Sequence, residues 1–236
     1  MQKRIRNIMP FSSLGLSPAL VKFLAAQNYT QPYPIQKEAI PAILNRKDVL
    51  GIAQTGSGKT ASYVLPILTN LQGQSTTKNR HVRVLVLVPT RELAVQVRDV
   101  FIQFGSDLPE RVKTIAVFGG VSINPQMIGL QGVQVLVATP GRLLELVDSK
   151  AVHLSEIDTL VLDEADKMLN LGFQEEMTRI FALLPNKRQN LLFSATLSDK
   201  LDSINQIILH DPLVIKFEPE KENIVLIEQT GYFVSV

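Results

Sequence analysis

Two stretches of this chain carry residue types whose spacing suits chemistry on a phosphate. The first is AQTGSGKT, residues 53–60. Gly56 and Gly58 let the backbone curl so that successive amide N–H groups point at one anion, at the positive end of a helix. Lys59 then reaches the β- and γ-phosphates of a nucleotide, and Thr60 offers a hydroxyl to Mg²⁺. The general pattern for such a loop begins with glycine, and here Ala53 takes that place. The bland alternative is a Gly/Ser turn ahead of a helix. A β-rich run before the loop and the GKT ending weigh against it.

The second stretch is LVLDEADKM, residues 160–168, where an apolar run ends in three carboxylates within four positions. Asp163 suits Mg²⁺, held directly or through water, and Glu164 suits an attacking water as base or positioning group. Asp166 either binds metal-bound water or holds a neighbouring hydroxyl. Acids also favour a helix N-terminus, so alone they would prove little. A later run ends in SAT, where Ser194 and Thr196 would sit beside the acids, although by itself the tripeptide reads better as a plain strand end. Gln36, in YTQPYPIQ, has an amide able to pair with the N6 and N7 edge of adenine, although a plain surface glutamine is the commoner case.

These groups need a frame. β-rich runs recur at residues 48–53, 82–89, 112–118, 133–139, 158–163, 189–196 and 213–217. They are near-continuous Val, Ile and Leu rather than alternating, as expected of parallel strands covered on both faces. Helical patterns lie between them, at 60–71, 91–104, 142–149, 173–184 and 199–209. Ser17-Pro18 and Thr139-Pro140 each place a capping residue before proline at a first helical position. The alternation predicts βαβ units and an α/β, doubly wound, mainly parallel sheet, with the ligand outside the strands' carboxyl ends.

The totals agree. The 236 residues are 45% hydrophobic and 19% charged, enough for a sizeable core. A net charge of +2 argues neither for nor against a nucleic acid. The absence of cysteine excludes disulfides and Cys-ligated metal centres, and fits a reducing compartment. The N-terminus is basic without the apolar segment of a signal peptide, and the uncharged stretch 114–141 is broken by glycines and polar residues. A soluble, cytoplasmic protein without a membrane span is expected. Residues 1–10, 72–80 and 218–223 are expected to be flexible.

In order and spacing these pieces resemble the DEAD-box RNA helicases, over about residues 11–217. The family's Q motif matches at Tyr29, Pro32, Ile35 and Gln36, with Phe11 as the upstream aromatic. Motif I matches at Ala53 through Thr60, and Ala53 is usual for the family. PTRELA (89–94), Gly119-Gly120, TPGR (139–142), DEAD (163–166) and SAT (194–196) follow in family order. The wording GGVSINPQM is most similar to a bacterial, RhlE-type subgroup. Asn28 stands where the Q motif usually has glycine, and Tyr33 where threonine or serine is usual.

The resemblance implies a RecA-like domain of the P-loop NTPase class, with ATP and Mg²⁺ as cofactors. Gln36 would recognise adenine, with Phe11 or Tyr29 packing on or near the ring. Gln54, Thr55, Gly56, Ser57, Gly58, Lys59 and Thr60 would hold the phosphates, and Thr60 and Asp163 the metal. Lys59, Asp163, Glu164, Asp166, Ser194 and Thr196 form the catalytic set. Pro89, Thr90, Arg91, Gly119, Gly120, Thr139, Pro140, Gly141 and Arg142 would line an RNA groove. Contacts there go to phosphate and 2′-hydroxyl, with little sequence preference.

Family members carry a second RecA-like domain with arginines that complete the ATP site, and this sequence has no such segment. The expected organisation is a flank at 1–33, an ATP-binding domain at 34–217, and at 218–236 a linker into the missing domain. The expected protein is therefore the N-terminal half of an ATP-dependent RNA helicase, binding ATP or ADP and RNA, and nearly inactive alone. Two alternatives stay open: a stand-alone nucleotide- or RNA-binding or partner-docking module, and another P-loop enzyme such as a small kinase.

Overall fold

Val, Leu and Ile dominate the seven strands. These are β1 (Val49–Ile52), β2 (Val84–Leu87), β3 (Thr114–Val117), β4 (Val135–Ala138), β5 (Thr159–Asp163), β6 (Gln189–Ser194) and β7 (Leu213–Lys216). In the computed structural model, which describes residues 10–73, 80–197, 204–205 and 207–217, they form one sheet in the order β3-β4-β2-β5-β6-β1-β7. Every pairing is parallel. All seven expected runs are strands.

The helices are α1 (Pro18–Ala26), α2 (Pro34–Leu44), α3 (Lys59–Leu71), α4 (Arg91–Phe104), α5 (Asn124–Gly129), α6 (Pro140–Asp148), α7 (Ala165–Asn170) and α8 (Gln174–Leu183). They cover both faces of the sheet. Val84 and Val86 of β2 join a core with α1 to α4, and Leu85 and Leu87 join a second core with α6 to α8. Successive strand residues point to opposite faces, so two apolar layers demand continuous apolar runs. The expected flexible stretches lie largely outside the described residues, as do residues 218–236 and most of the predicted helix at 199–209.

The core does not begin at residue 34. Phe11, Leu14, Leu16, Leu20, Phe23 and Leu24 are buried in the same cluster as α2 and α3. Of the two expected caps one forms a side-chain bond: Ser17 Oγ accepts from the Leu20 amide at 3.4 Å. Thr90 Oγ1 caps α4 in the same way, accepting from the Leu93 amide at 3.3 Å. Thr139 occupies the N-cap position of α6, but its side chain makes no cap bond. Among the described residues no helix is long and apolar enough to cross a membrane.

β1 contains a glycine whose reason is visible. Gly51 pairs in register with Phe193 on β6. A Cβ at Gly51 would sit 2.6 Å from the Phe193 ring. That ring is fully buried and packs against Tyr63 with centroids 5.3 Å apart, so it has nowhere to go. Gly51→Ala is expected to cost about 1–3 kcal/mol, as overpacking of a filled core does. Urea or thermal unfolding measures it, and a variant as stable as the parent would refute the packing argument.

Candidate functional site

The chain leaves β1 at Ala53, turns through five residues and enters α3 at Lys59. Gly56 and Gly58 both have left-handed backbone, with φ of 82° and 86°, which other residues adopt only at a cost. Gly58 is also sterically fixed, because a Cβ there would lie 2.5 Å from Gln36 Nε2. The loop therefore presents backbone rather than side chains ahead of the helix N-terminus, where an anion is favoured. The Lys59 ammonium is folded back and donates to the Ala53 carbonyl. Burial lowers its pKa, while Asp163, Glu164 and Asp166 pull it upward.

Gln36 ties this loop to the start of α2. Its Oε1 accepts from the Tyr33 amide at 2.9 Å, and its Nε2 donates to the Gly58 carbonyl at 3.1 Å. The first bond is half of a capping box, in which a Gln at N3 reaches back to the N-cap amide. Each end of the amide keeps one further hydrogen-bonding position, since its oxygen has two lone pairs and its nitrogen two hydrogens. Asn28, in the position the family usually gives to glycine, has φ 61°. Asparagine tolerates that left-handed conformation better than most residues, which accounts for the replacement.

Asp163 ends β5 and is 2% exposed. Its Oδ2 accepts from the Tyr63 hydroxyl at 2.7 Å. Burial pushes its carboxyl up to about 6, against the opposing pull of the Tyr63 bond and the Lys59 charge. Glu164 follows in left-handed backbone at φ 54°, strain of a kind that clusters at functional positions. Its carboxylate pairs with Lys167 at 2.9 Å. Asp166, on the first turn of α7, accepts from Thr196 Oγ1 at 2.8 Å and from the Thr196 amide at 3.2 Å. Ser194 Oγ donates in turn to the Thr196 carbonyl at 2.8 Å. Burial alone would raise the Asp166 carboxyl, but bonds from Thr196, Ser194 and the Lys167 amide hold it below the usual range. Of the two roles open to Asp166 in the sequence, this arrangement is the hydroxyl-holding one.

A cleft of about 440 Å³ runs along these groups, lined by the loop and by Tyr29, Tyr33, Gln36, Asp163 and Glu164. Phe11 does not reach it, because its ring is buried in the core with Leu14 and Leu16. Of the two aromatics considered for the adenine ring, Tyr29 lines the cleft, its ring edge-on to Phe104 at 5.8 Å. Sequence reasoning missed Tyr63, which reads as one more core residue in SYVLPIL, and missed Gln96 and Gln103 of α4, which line the cleft.

The oxygen donors at the loop fit a hard divalent cation. Thr60 offers a hydroxyl and Asp163 a carboxylate, and Mg²⁺ typically takes one or two protein ligands, several waters and substrate phosphates. Consistently, among the described residues no cluster of three or more His, Cys, Asp or Glu could hold a metal alone.

The residues expected along a groove lie on the other half of the same sheet edge. Pro89 is buried ahead of α4, and Thr90 and Arg91 are exposed at its start. Gly119 and Gly120 follow β3 and are exposed, Gly120 with φ 80°. Thr139 and Pro140 are buried where β4 meets α6, and Gly141 is half-buried. The Arg142 side chain, 6% exposed, donates to Glu145 at 2.9 Å and to the Val121 carbonyl at 2.8 Å. Its third guanidinium nitrogen is buried without a partner.

Comparison with known proteins places this geometry. The family model described as DEAD/DEAH box helicase matches residues 33–204. The chain is 41% identical over 222 residues to the ATP-dependent RNA helicase CshA of Limosilactobacillus reuteri, covering 94% of this chain and 44% of that protein. It is 40% identical over 227 residues to the DEAD-box ATP-dependent RNA helicase RhpA of Helicobacter pylori, covering 95% and 44%. The crystal structure of a DEAD box protein from the hyperthermophile Methanococcus jannaschii superposes with a TM-score of 0.80 at 32% identity, over 88% of this chain and 55% of that one. The chain spans less than half the length of these curated relatives.

The buried acid has a signature in the metal-free protein. With its carboxyl raised from 3.8 to about 6, folding favours the protonated form. The stability this group contributes is present below 3.8 and is lost as pH rises through about 6, to the extent of about 3 kcal/mol. Asp163→Asn keeps an oxygen for Tyr63 and removes the charge. In chelator it is expected to melt higher than the parent at pH 8, with the gap closing as pH falls below 6. A gap that does not vary with pH would contradict the buried-charge account.

Proposed function

The chain belongs to the DEAD/DEAH box helicase family, and on that premise we propose that it is the nucleotide- and RNA-binding half of an ATP-dependent RNA helicase. One observation carries the reading. The sheet order sets the carboxyl ends of β1, β6 and β5 side by side, so the phosphate loop meets Asp163 and Glu164 along one cleft, with the SAT turn bonded to Asp166 beside them.

In this reading ATP binds with its adenine at Tyr29 and Gln36. The remaining lone pair and hydrogen of the Gln36 amide match the N6 donor and N7 acceptor of adenine. The loop from Gln54 to Gly58 and the start of α3 hold the phosphates. Lys59 releases the Ala53 carbonyl to reach the β- and γ-phosphates. Thr60 and Asp163 would hold, directly or through water, a Mg²⁺ ion, which would supply positive charge against the phosphates. Glu164 exchanges Lys167 for the attacking water. Asp166, Thr196 and Ser194 link the acids to the next strand end. RNA lies along Thr90, Arg91, Gly119, Gly120 and the start of α6, held through its backbone.

The lining of the cleft supports the expectation that this half turns over slowly alone. Among the described residues that line it, Lys59 is the only cation. An arginine on the transferring phosphoryl group is worth about 10³–10⁵ in rate in related NTPases, so the proposed second RecA-like domain supplies the missing charge. ATP and Mg²⁺ are the proposed cofactors, RNA the proposed partner and the cytoplasm the proposed location.

The isolated chain should bind fluorescent ADP, and RNA-stimulated ATP turnover should stay near background; brisk turnover would remove the half-site reading. Lys59→Ala should weaken nucleotide binding about tenfold or more, through loss of a charge-assisted bond to phosphate, and unchanged affinity would count against its phosphate role. In a polypeptide that carries both helicase domains, Glu164→Gln should keep ATP binding and lose turnover. Retained turnover would exclude Glu164 from activating water.

A further inference from the structure

Tyr63 is a fully buried residue of α3 whose ring packs between Phe101 and Phe193, with centroids 6.4 and 5.3 Å away. Phenylalanine would fill that space equally well. The hydroxyl is therefore not there for packing, and burying it without a partner would be costly. Its partner faces the cleft: the hydroxyl donates to Asp163 Oδ2 at 2.7 Å. Thr60 lies three residues earlier on the same helix, on the same face.

Asp163 is one of the two residues read above as holders of the divalent cation. A carboxylate at a strand end can rotate, and the Tyr63 hydroxyl restrains it: by donating to one oxygen of Asp163 it fixes the plane in which the second is presented to the cleft. We propose that Tyr63 is a positioning residue for the metal: its hydroxyl pre-sets Asp163 so that a divalent cation arriving with the nucleotide meets an oxygen already in place. Tyr63 touches neither nucleotide nor metal, and it acts through Asp163.

The proposal rests on Thr60 and Asp163 holding the cation, and its test separates the two claims. Fluorescent ADP is titrated onto this chain in EDTA and again across a Mg²⁺ series, for the parent and for Tyr63→Phe, with melting curves as the folding control. In the parent, Mg²⁺ tightens nucleotide binding. Tyr63→Phe is expected to keep the metal-free affinity within about twofold, while the Mg²⁺ concentration for half-maximal enhancement rises about ten- to a hundredfold, the size of effect expected for a lost bond to a charged group. Tyr63→Met, of similar volume and also without the hydroxyl, should give the same split, so a poorly folded phenylalanine variant does not end the test. An unchanged Mg²⁺ requirement in a folded variant overturns the proposal, as does an equal loss with and without metal. If Mg²⁺ does not affect nucleotide binding in the parent, the metal reading of Thr60 and Asp163 falls first and the proposal with it.

Discussion

In a parallel sheet every strand delivers its carboxyl end, and every following helix its N-terminus, to a single edge. That edge collects backbone amides, positive helix ends and whatever side chains follow the strands, and the rest of this structure depends on which strands are neighbours there. The chain builds β1 first, runs outward through β2 to β3 at the edge, returns with β4 between those two, and then places β5 and β6 in the gap between β2 and β1. The insertion divides the edge. The ends of β1, β6 and β5 bring together the phosphate loop, the SAT turn and the acids. Beside them, β2, β4 and β3 bring together PTRELA, TPGR and the glycine pair. Segments more than a hundred residues apart become adjacent because the sheet order makes them so.

The nucleotide half of the edge holds charges that its surroundings disfavour. Asp163 is buried deeply enough to raise its pKa to about 6, Lys59 is buried with its pKa lowered, and Glu164 sits in left-handed backbone. Each would be easier to satisfy in an ordinary core by an apolar residue. The groups opposing these costs are few: the Tyr63 hydroxyl, the Ala53 carbonyl and Lys167. A site arranged this way leaves its carboxylates and ammonium incompletely matched to one another. A phosphate chain with a divalent cation would supply the charges that complete them.

The five inner strands were legible because burial on both faces favours near-continuous apolar runs, which few other elements produce; the edge strand β7 keeps the same apolar pattern although Leu213 and Val214 are exposed. Helix α4 was legible to the residue, since Thr90 caps it and its apolar spacing is regular. Helices α5 and α7 were not, because six residues hardly carry a period. In α7 the acids that open the helix were read first as an exit from β5, with a helix N-terminus as the alternative. The candidate site was legible where chemistry imposes spacing, at GSGKT and DEAD. It was illegible where packing decides. Phe11 is as aromatic in sequence as Tyr29, but the apolar segment around it covers α2 and α3 and carries it into the core. Tyr63 was hidden for the opposite reason: its neighbours in sequence are apolar, and its one polar contact lies a hundred residues away.

The two halves of the edge are joined more tightly than by proximity. Strand β2, which ends at the start of α4, pairs directly with β5, which ends at Asp163. A displacement of Thr90 or Arg91 is therefore one strand from the acids, and β6 with its link from Asp166 to Thr196 lies one strand beyond. On the far side Arg142 ties the start of α6 to the loop after Gly120 through Val121, so the glycine pair and TPGR would move as a unit. Parallel strands paired in register resist sliding past one another, which confines adjustment to the turns at their ends. The candidate contacts, to phosphate on one half and to a polynucleotide backbone on the other, sit in those turns, in the last strand residues before them and in the first turns of the helices after them. A ligand that orders the turns on one half would restrict the turns beside them, and the direct route runs between the ends of β2 and β5.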